Sequence, residues 1–140
     1  MSQGIHFFSE QIDFNLPNKR KVTDWISLCI SEKNRNLGAL NLIFCSDQYL
    51  LSVNQEYLNH DTFTDVITFK SVSENTISGD IFISIERVKE NASSLEVDFN
   101  QELRRVIIHG ILHLIGYGDK TPEEAREIRA QEDFCLTLQA

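Results

Sequence analysis

Two hydrophobic patterns divide this chain into its elements. Apolar runs of strand length at residues 5–8, 39–45, 65–69 and 79–84 predict four β-strands, and the last two are able to pair as a hairpin. Apolar residues three and four apart predict α-helices, because this spacing places them on one helix face. We expect five helices, at residues 18–35, 46–58, 85–95, 98–115 and 121–138.

Residues that favour turns and caps set the expected boundaries. Gly38 is expected to end the first helix and Gly116 the fourth, since glycine enters left-handed backbone conformations at little cost. Residues 71–78 are expected to form a loop, and Tyr57 is expected to face inward from the second helix. Together the elements predict one α/β (α+β) domain over residues 1–140, with helices packed on a mixed sheet.

Composition narrows the class of protein and its compartment. Of the 140 residues, 41% are hydrophobic, which is ordinary for a globular domain. No apolar run reaches the roughly 18 residues that a membrane span needs, and the N-terminus lacks the pattern of a secretory signal. The three cysteines are odd in number and far apart, which indicates reduced thiols. We therefore expect a cytoplasmic protein without a membrane partner.

The segment from His109 to Asp119 carries a metal-binding pattern. His109 and His113 are four residues apart in an apolar helical run, so their imidazoles share one face and can reach one ion. After a turn at Gly116, Asp119 can supply a third ligand. Two nitrogens and one carboxylate oxygen leave the fourth position of a tetrahedral zinc ion open, as in catalytic sites. We predict one Zn²⁺ per chain, bound by His109, His113 and Asp119.

Gly110 separates this pattern from that of the metallopeptidases. In their H-E-x-x-H motif, a glutamate follows the first histidine and acts as the general base. Glycine occupies that position here, so a peptidase would lack its base. The expected catalytic group is a zinc-bound water, whose pKa the ion lowers to about 7. The identity of the general base stays open.

Three segments together resemble the YbeY family of bacterial zinc endoribonucleases. The family signature H-G-x-L-H-L-x-G-Y-D-H is matched from His109 to Tyr117. Upstream, residues 64–69 (TDVITF) resemble its T-D/N-V-L-S-F strand, and residues 79–84 (GDIFIS) resemble its G-D-I-x-I-S strand. The resemblance implies a single-strand-specific, zinc-dependent endoribonuclease in maturation of the 16S rRNA 3′ end and in ribosome quality control. It also implies ribosomal RNA and the small ribosomal subunit as partners, and no DNA.

Two departures from the family pattern matter for the site. Asp119 stands where the family has its third histidine, and we interpret this as a substitution, since carboxylates are good zinc ligands. Leu58 follows Tyr57 where the family has an arginine. If that arginine binds phosphate, Asn59 and His60 are candidates to replace it. The net charge of −8 also opposes non-specific RNA binding, unless basic residues gather on one side.

Further residues are candidates to support the metal site or to line a substrate cleft: Asp65, Asp80, Arg105, Tyr117 and His60. Asp65 and Asp80 each stand at the start of a strand, where either orients a ligand histidine or caps the strand. Arg105 lies four residues before His109, so it either contacts a phosphate near the metal or pairs with a carboxylate. Tyr117 either lines the cleft or packs beneath the turn.

Two other functions stay open at this point. Leu58 in place of arginine favours a non-catalytic ribosome-assembly factor in which zinc holds the helix and loop together. The acidic balance of the chain suits a metal-dependent hydrolase with a small-molecule substrate. An RNA cleavage assay with and without a chelator separates these functions from a nuclease.

Overall fold

A four-stranded mixed sheet forms the centre of the fold. The computed structural model describes residues 4–59, 64–71 and 75–138. Its strands are β1 (Gly4–Glu10), β2 (Asn36–Cys45), β3 (Val66–Lys70) and β4 (Thr76–Ser84), in the spatial order β1-β2-β4-β3. β1, β2 and β4 run parallel, whereas β3 pairs antiparallel with β4. The expected hairpin and the mixed sheet are thus confirmed.

Five α-helices pack on this sheet within the described residues, which confirms the predicted fold class. They are α1 (Lys19–Glu32), α2 (Asp47–Leu58), α3 (Ile85–Leu95), α4 (Phe99–Ile115) and α5 (Pro122–Thr137). At the start of α5, Thr121 and Glu124 form a capping box, in which each side chain bonds to the other residue's backbone N–H. No helix in the described ranges is long and apolar enough to cross a membrane.

The two faces of the sheet carry different cores. Successive residues of a strand point to opposite faces, so Ile81 and Ile83 of β4 face one way and Phe82 the other. The first face carries the larger core, in which both isoleucines are fully buried. On the second face Phe82 contacts Tyr49 of α2 and Phe69 of β3. Helix α4 lies on the first face, against β3 and β4.

Gly110 allows α4 to approach the sheet closely. A Cβ atom at Gly110 would lie 2.9 Å from Cγ2 of Ile81, and 3.4 Å from Cγ2 of both Thr68 and Val66. These methyl groups belong to β-branched side chains, which have little freedom to rotate away. The contact therefore sets the distance between the sheet and the helix that carries His109.

Three local predictions are wrong. Gly38 lies inside β2, whereas α1 already ends at Glu32. A side chain at Gly38 would overlap the Ser78 hydroxyl, at an irregularity in the pairing of β2 with β4. The lack of a side chain at Gly38 therefore allows the two strands to lie side by side. Strand β4 begins at Thr76, inside the expected loop. Tyr57 is 64% exposed, because it lies in the last turn of α2 and touches the sheet only through an edge contact of its ring with Phe69 among the ring contacts described.

Candidate metal centre

His109 and His113 turn their imidazoles towards each other on one face of α4. Their Nε2 atoms are 2.9 Å apart. Each Nδ1 is held elsewhere: that of His109 lies 2.5 Å from Oε2 of Glu132, and that of His113 lies 2.9 Å from the carbonyl oxygen of Tyr117. An ionised carboxylate and a carbonyl only accept hydrogen bonds, so both Nδ1 atoms donate. In the neutral imidazole, this leaves the Nε2 lone pair available to a metal ion.

A turn after α4 returns the chain to these imidazoles. Gly116 has a φ of +128°, a conformation that glycine adopts without strain. The backbone N–H groups of Gly116 and Tyr117 both donate to the carbonyl oxygen of Leu112, which closes the helix. Asp119 then places its Oδ2 3.4 Å from Nε2 of His109 and 3.3 Å from Nε2 of His113. The turn predicted at Gly116 is confirmed.

The donor set fits a metal ion such as zinc. His109, His113 and Asp119 each offer one ligand atom, and these atoms lie within 4.8 Å of one another. Ligands about 2.0–2.1 Å from a tetrahedral zinc ion are roughly 3.3 Å apart, which is close to the three distances between the ligand atoms. Two imidazole nitrogens and one carboxylate oxygen are also ligand types that zinc accepts. These three residues can therefore hold a metal ion.

Glu132 ties the centre to α5. Its side chain is 5% exposed and also accepts a hydrogen bond of 2.9 Å from Nη1 of Arg105. Burial alone would raise the pKa of Glu132, but the hydrogen bonds from His109 and Arg105 outweigh it and lower that pKa. Burial likewise opposes a charge on His109, yet the hydrogen bond and the charge of Glu132 raise the pKa of the imidazole. The two groups thus stabilise each other in their charged forms when no metal is bound.

Two cavities flank the three ligands. The first has a volume of about 360 Å³ and lies between α4 and α5, with Glu102, Arg105 and Arg129 on its walls. The second has a volume of about 380 Å³ and lies towards β3 and the end of α2. Both are bordered by Asp65, Val66, His109 and Asp119. A substrate can therefore approach the ligands from two sides of one cleft.

Asp65 and Glu102 add two carboxyl groups to the walls of this cleft. Burial raises the pKa of Asp65, although the nearby charge of His109 opposes the shift. Asn91 donates a hydrogen bond of 3.3 Å to Oδ2 of Asp65. Glu102 is 7% exposed, and its pKa is raised by burial and then by the charge of Asp65. Both groups hold a proton more readily than exposed carboxyls do.

The structure places Arg105 and Tyr117 beside the ligands, each with a definite partner. Arg105 pairs with two carboxylates, Glu132 at 2.9 Å and Asp133 at 2.8 Å. Of the two roles open from the sequence, its contacts thus favour pairing with carboxylates. Tyr117 packs against the core beneath the turn, and neither of the two cavities has it on its walls. Its contribution to the centre is the carbonyl oxygen that holds His113.

The other candidates lie at different places. Asp80 is on the sheet face opposite α4, because its neighbour Ile81 faces the helix, and it accepts a hydrogen bond of 2.9 Å from Asn41. The structure does not bring Asp80 to the ligands, so a role in orienting them is not supported by its position. Leu58 is 41% exposed and lines the second cavity with His113. His60 lies outside the described residues.

Sequence reasoning missed Glu132, Glu102 and Asn54, each of which lies on the cleft and is largely buried. A signal for Glu132 was present, because it falls between Ile128 and Cys135 on the inward face of α5. A carboxylate on an inward helical face requires a partner to offset its desolvation. The identity of that partner depends on how α5 docks on α4, which local spacing does not reveal.

Comparison with known proteins gives consistent matches over nearly the whole chain. The family model described as endoribonuclease YbeY matches residues 5–139. Two curated proteins named endoribonuclease YbeY are similar to this chain. That of Amoebophilus asiaticus is 51% identical over 95% of this chain and 91% of the relative. That of Flavobacterium johnsoniae is 49% identical over 94% of each.

A solved structure shares the fold. The solution structure of a Thermotoga maritima protein superposes with a TM-score of 0.67 and 26% sequence identity. The match covers 94% of this chain and 86% of that one. The two chains therefore share one fold over most of their length.

Proposed function

This chain belongs to the endoribonuclease YbeY family, and we propose that it cleaves RNA at the centre formed by His109, His113 and Asp119. The observation that carries this proposal is the convergence of three ligand atoms within 4.8 Å at the junction of two cavities. We further propose that the ion is zinc, that the substrate is single-stranded ribosomal RNA, and that the partner is the small ribosomal subunit. We place this activity in the cytoplasm.

Different residues of the centre have different chemical roles. A bound zinc ion would supply an acidified water and would polarise a phosphoryl oxygen. His109, His113 and Asp119 hold the ion, and Glu132 and the Tyr117 carbonyl fix the direction of the two imidazoles. Asp65 borders both cavities next to His109, where its carboxyl group can exchange a proton with a substrate or water hydroxyl.

The cleft contains little free positive charge for an RNA phosphate. Leu58 occupies the second cavity where the family pattern has arginine, and Arg105 is already paired with two carboxylates. Arg129 lines the first cavity, and no hydrogen bond or ion pair holds it within the described part of the chain. We therefore assign phosphate binding to Arg129. Such a contact would give a chain with a net charge of −8 a local positive charge for a phosphate group.

An RNA cleavage assay tests the proposal. Purified protein is incubated with single-stranded and double-stranded RNA of the same sequence, with zinc, with a chelator, and with zinc restored after the chelator. We expect cleavage of the single strand that the chelator abolishes and zinc restores. His113→Ala should be inactive under all conditions. Persistent activity in the chelator or in His113→Ala would contradict a metal-dependent mechanism at this centre.

Leu58 favours one other function, a zinc-stabilised ribosome-assembly factor without catalysis. In that case the metal would bind with the same residues, but no RNA would be cut under any of the conditions above. Binding to the small ribosomal subunit would persist in the absence of cleavage. The same assay, combined with a subunit binding measurement, therefore separates the two functions.

A further inference from the structure

The two imidazoles of the centre differ in what holds their Nδ1 atoms, since Glu132 gives His109 an anionic partner where His113 has the neutral carbonyl of Tyr117. Its side chain is almost fully buried and lies 2.5 Å from Nδ1 of His109. It comes from α5, whereas both imidazoles and Asp119 come from α4 and the turn that follows. Helix α5 thus reaches the centre without supplying one of the three ligands.

Arg105 fixes the position of Glu132 from α4. Its Nη1 donates to Oε1 of Glu132 at 2.9 Å, so the two oxygens of this carboxylate serve different partners. Nη2 of Arg105 donates to Asp133 at 2.8 Å. The guanidinium therefore spans two adjacent carboxylates of α5. Asp133 is 60% exposed and shares Arg105 with Glu132, but the described contacts do not join it to His109.

We infer that Glu132 is a positioning residue for the metal centre, which holds His109 with Nε2 directed at the ion, and that Arg105 acts through Glu132. This inference rests on the proposed metal centre and goes beyond it by assigning α5 a part in metal affinity. The carboxylate fixes the ring orientation through Nδ1 and increases the electron density on Nε2, which strengthens a ligand bond. Arg105 keeps the buried carboxylate paired, because an unpaired buried charge is costly.

Zinc affinity, measured without RNA, tests this inference. The zinc dissociation constant is determined by competition with a chromogenic chelator for the parent, Glu132→Gln, Glu132→Ala and Asp133→Asn. Loss of such a supporting partner typically weakens metal binding about 10–100-fold. We expect a loss of this size for Glu132→Ala and a smaller loss for the nearly isosteric Glu132→Gln. Asp133→Asn is the matched control, because it removes the other carboxylate on Arg105, and its affinity should equal that of the parent.

A second readout follows the imidazole itself. In the zinc-loaded parent, the Nδ1 proton of His109 should be visible by NMR and slow to exchange with water, because Glu132 accepts it in a buried position. The same proton should exchange faster in Glu132→Gln and should be unchanged in Asp133→Asn. Equal zinc affinity and equal exchange in Glu132→Gln and the parent would overturn the inference. Neither measurement depends on RNA cleavage, so failure of the nuclease proposal would appear separately in the cleavage assay.

Discussion

At the scale of single residues, the fold holds the three candidate ligands with unequal firmness. The imidazoles of His109 and His113 are each anchored through Nδ1 and are about a quarter exposed. The side chain of Asp119 is 43% exposed and stands on the turn beyond α4. The histidines are therefore arranged before a metal arrives, whereas Asp119 depends most on the ion to fix its position.

Substitution of Asp119 tests its role as the third ligand. Asp119→Ala should weaken zinc binding at least as much as the roughly 10–100-fold loss caused by removing a supporting partner. Asp119→His should retain the metal, because histidine offers a zinc ligand atom at the same place on the turn. Chelator competition provides both affinities. If the parent and the two variants bind zinc equally well, Asp119 is not a ligand.

Ionisation of the buried Glu102 should lower the stability of the folded protein. Because burial and the charge of Asp65 raise its folded-state pKa above the unfolded value, the ionised form is disfavoured in the native protein. Its contribution to stability is present below the unfolded pKa and is lost as the pH rises through the folded pKa. Glu102→Gln should therefore be more stable than the parent at neutral pH, and the difference should shrink as the pH falls towards the ordinary glutamate pKa.

Urea unfolding of the chelated proteins over this pH range measures the difference. The surface variant Glu127→Gln on α5 makes the same chemical change at an exposed position and serves as the control. A Glu102→Gln variant that is less stable than the parent at neutral pH would show that Glu102 makes a stabilising ionic contact instead.

At the scale of elements, α4 combines two functions on opposite sides. Glu102, Val106, His109 and His113 follow one another at helical spacing and all border the cleft. Ile107 and Ile111 lie on the other side of the helix and are fully buried in the larger core. Packing of α4 against the sheet therefore fixes the positions of these four cleft residues relative to one another. Helix α5 then closes the cleft with Ile128, Arg129 and Glu132.

Substitution of Arg129 tests whether α5 contributes to RNA binding. Arg129→Ala should lower kcat/KM for RNA cleavage by roughly 10- to 160-fold, since a hydrogen bond to a charged group contributes roughly 1.5–3 kcal/mol. The loss should appear mainly in KM, and the dependence of binding on salt should become weaker, because one phosphate contact is removed. Steady-state cleavage at several salt concentrations measures both effects.

Two further variants make this test specific. Arg126→Ala removes the same charge one turn earlier on α5, outside the walls of the two cavities, and should leave KM nearly unchanged. Leu58→Arg adds a charged, potentially bidentate donor to the second cavity and should lower KM. Equal effects of Arg126→Ala and Arg129→Ala would indicate a general loss of positive charge instead of a contact in the cleft.

The elements also show which parts of this protein are predictable from its sequence. Within the described residues, periodicity located each helix and strand, because each buries an apolar face of the appropriate period. It failed at Gly38 and Thr76, where the pairing of β2 with β4 is irregular and the turn residues belong to the sheet. His109, His113 and Asp119 lie within one short segment, so local spacing was enough to predict that they meet. Glu132 was missed because its contact with His109 joins two helices.

At the scale of the whole molecule, metal binding should raise the stability of the fold. An ion that binds only the native state stabilises it by about 2.7 kcal/mol at a free concentration of 100 times the dissociation constant. We expect zinc to raise the Tm by several degrees and a chelator to reverse the rise. Differential scanning calorimetry measures this shift. His113→Ala should show no zinc-dependent shift, and a shift equal to that of the parent would place the stabilising ion elsewhere.

Gly110 also limits how readily this metal centre could change into that of a peptidase. A zinc peptidase of the H-E-x-x-H type requires glutamate at this position, yet here even a Cβ atom would lie only 2.9 Å from Cγ2 of Ile81. Glutamate could be accepted only if α4 moved outwards or if the side chain of Ile81 on β4 shifted or became smaller. Acquisition of a peptidase general base at this position would therefore require a compensating change in how α4 packs on the sheet as well as the substitution itself.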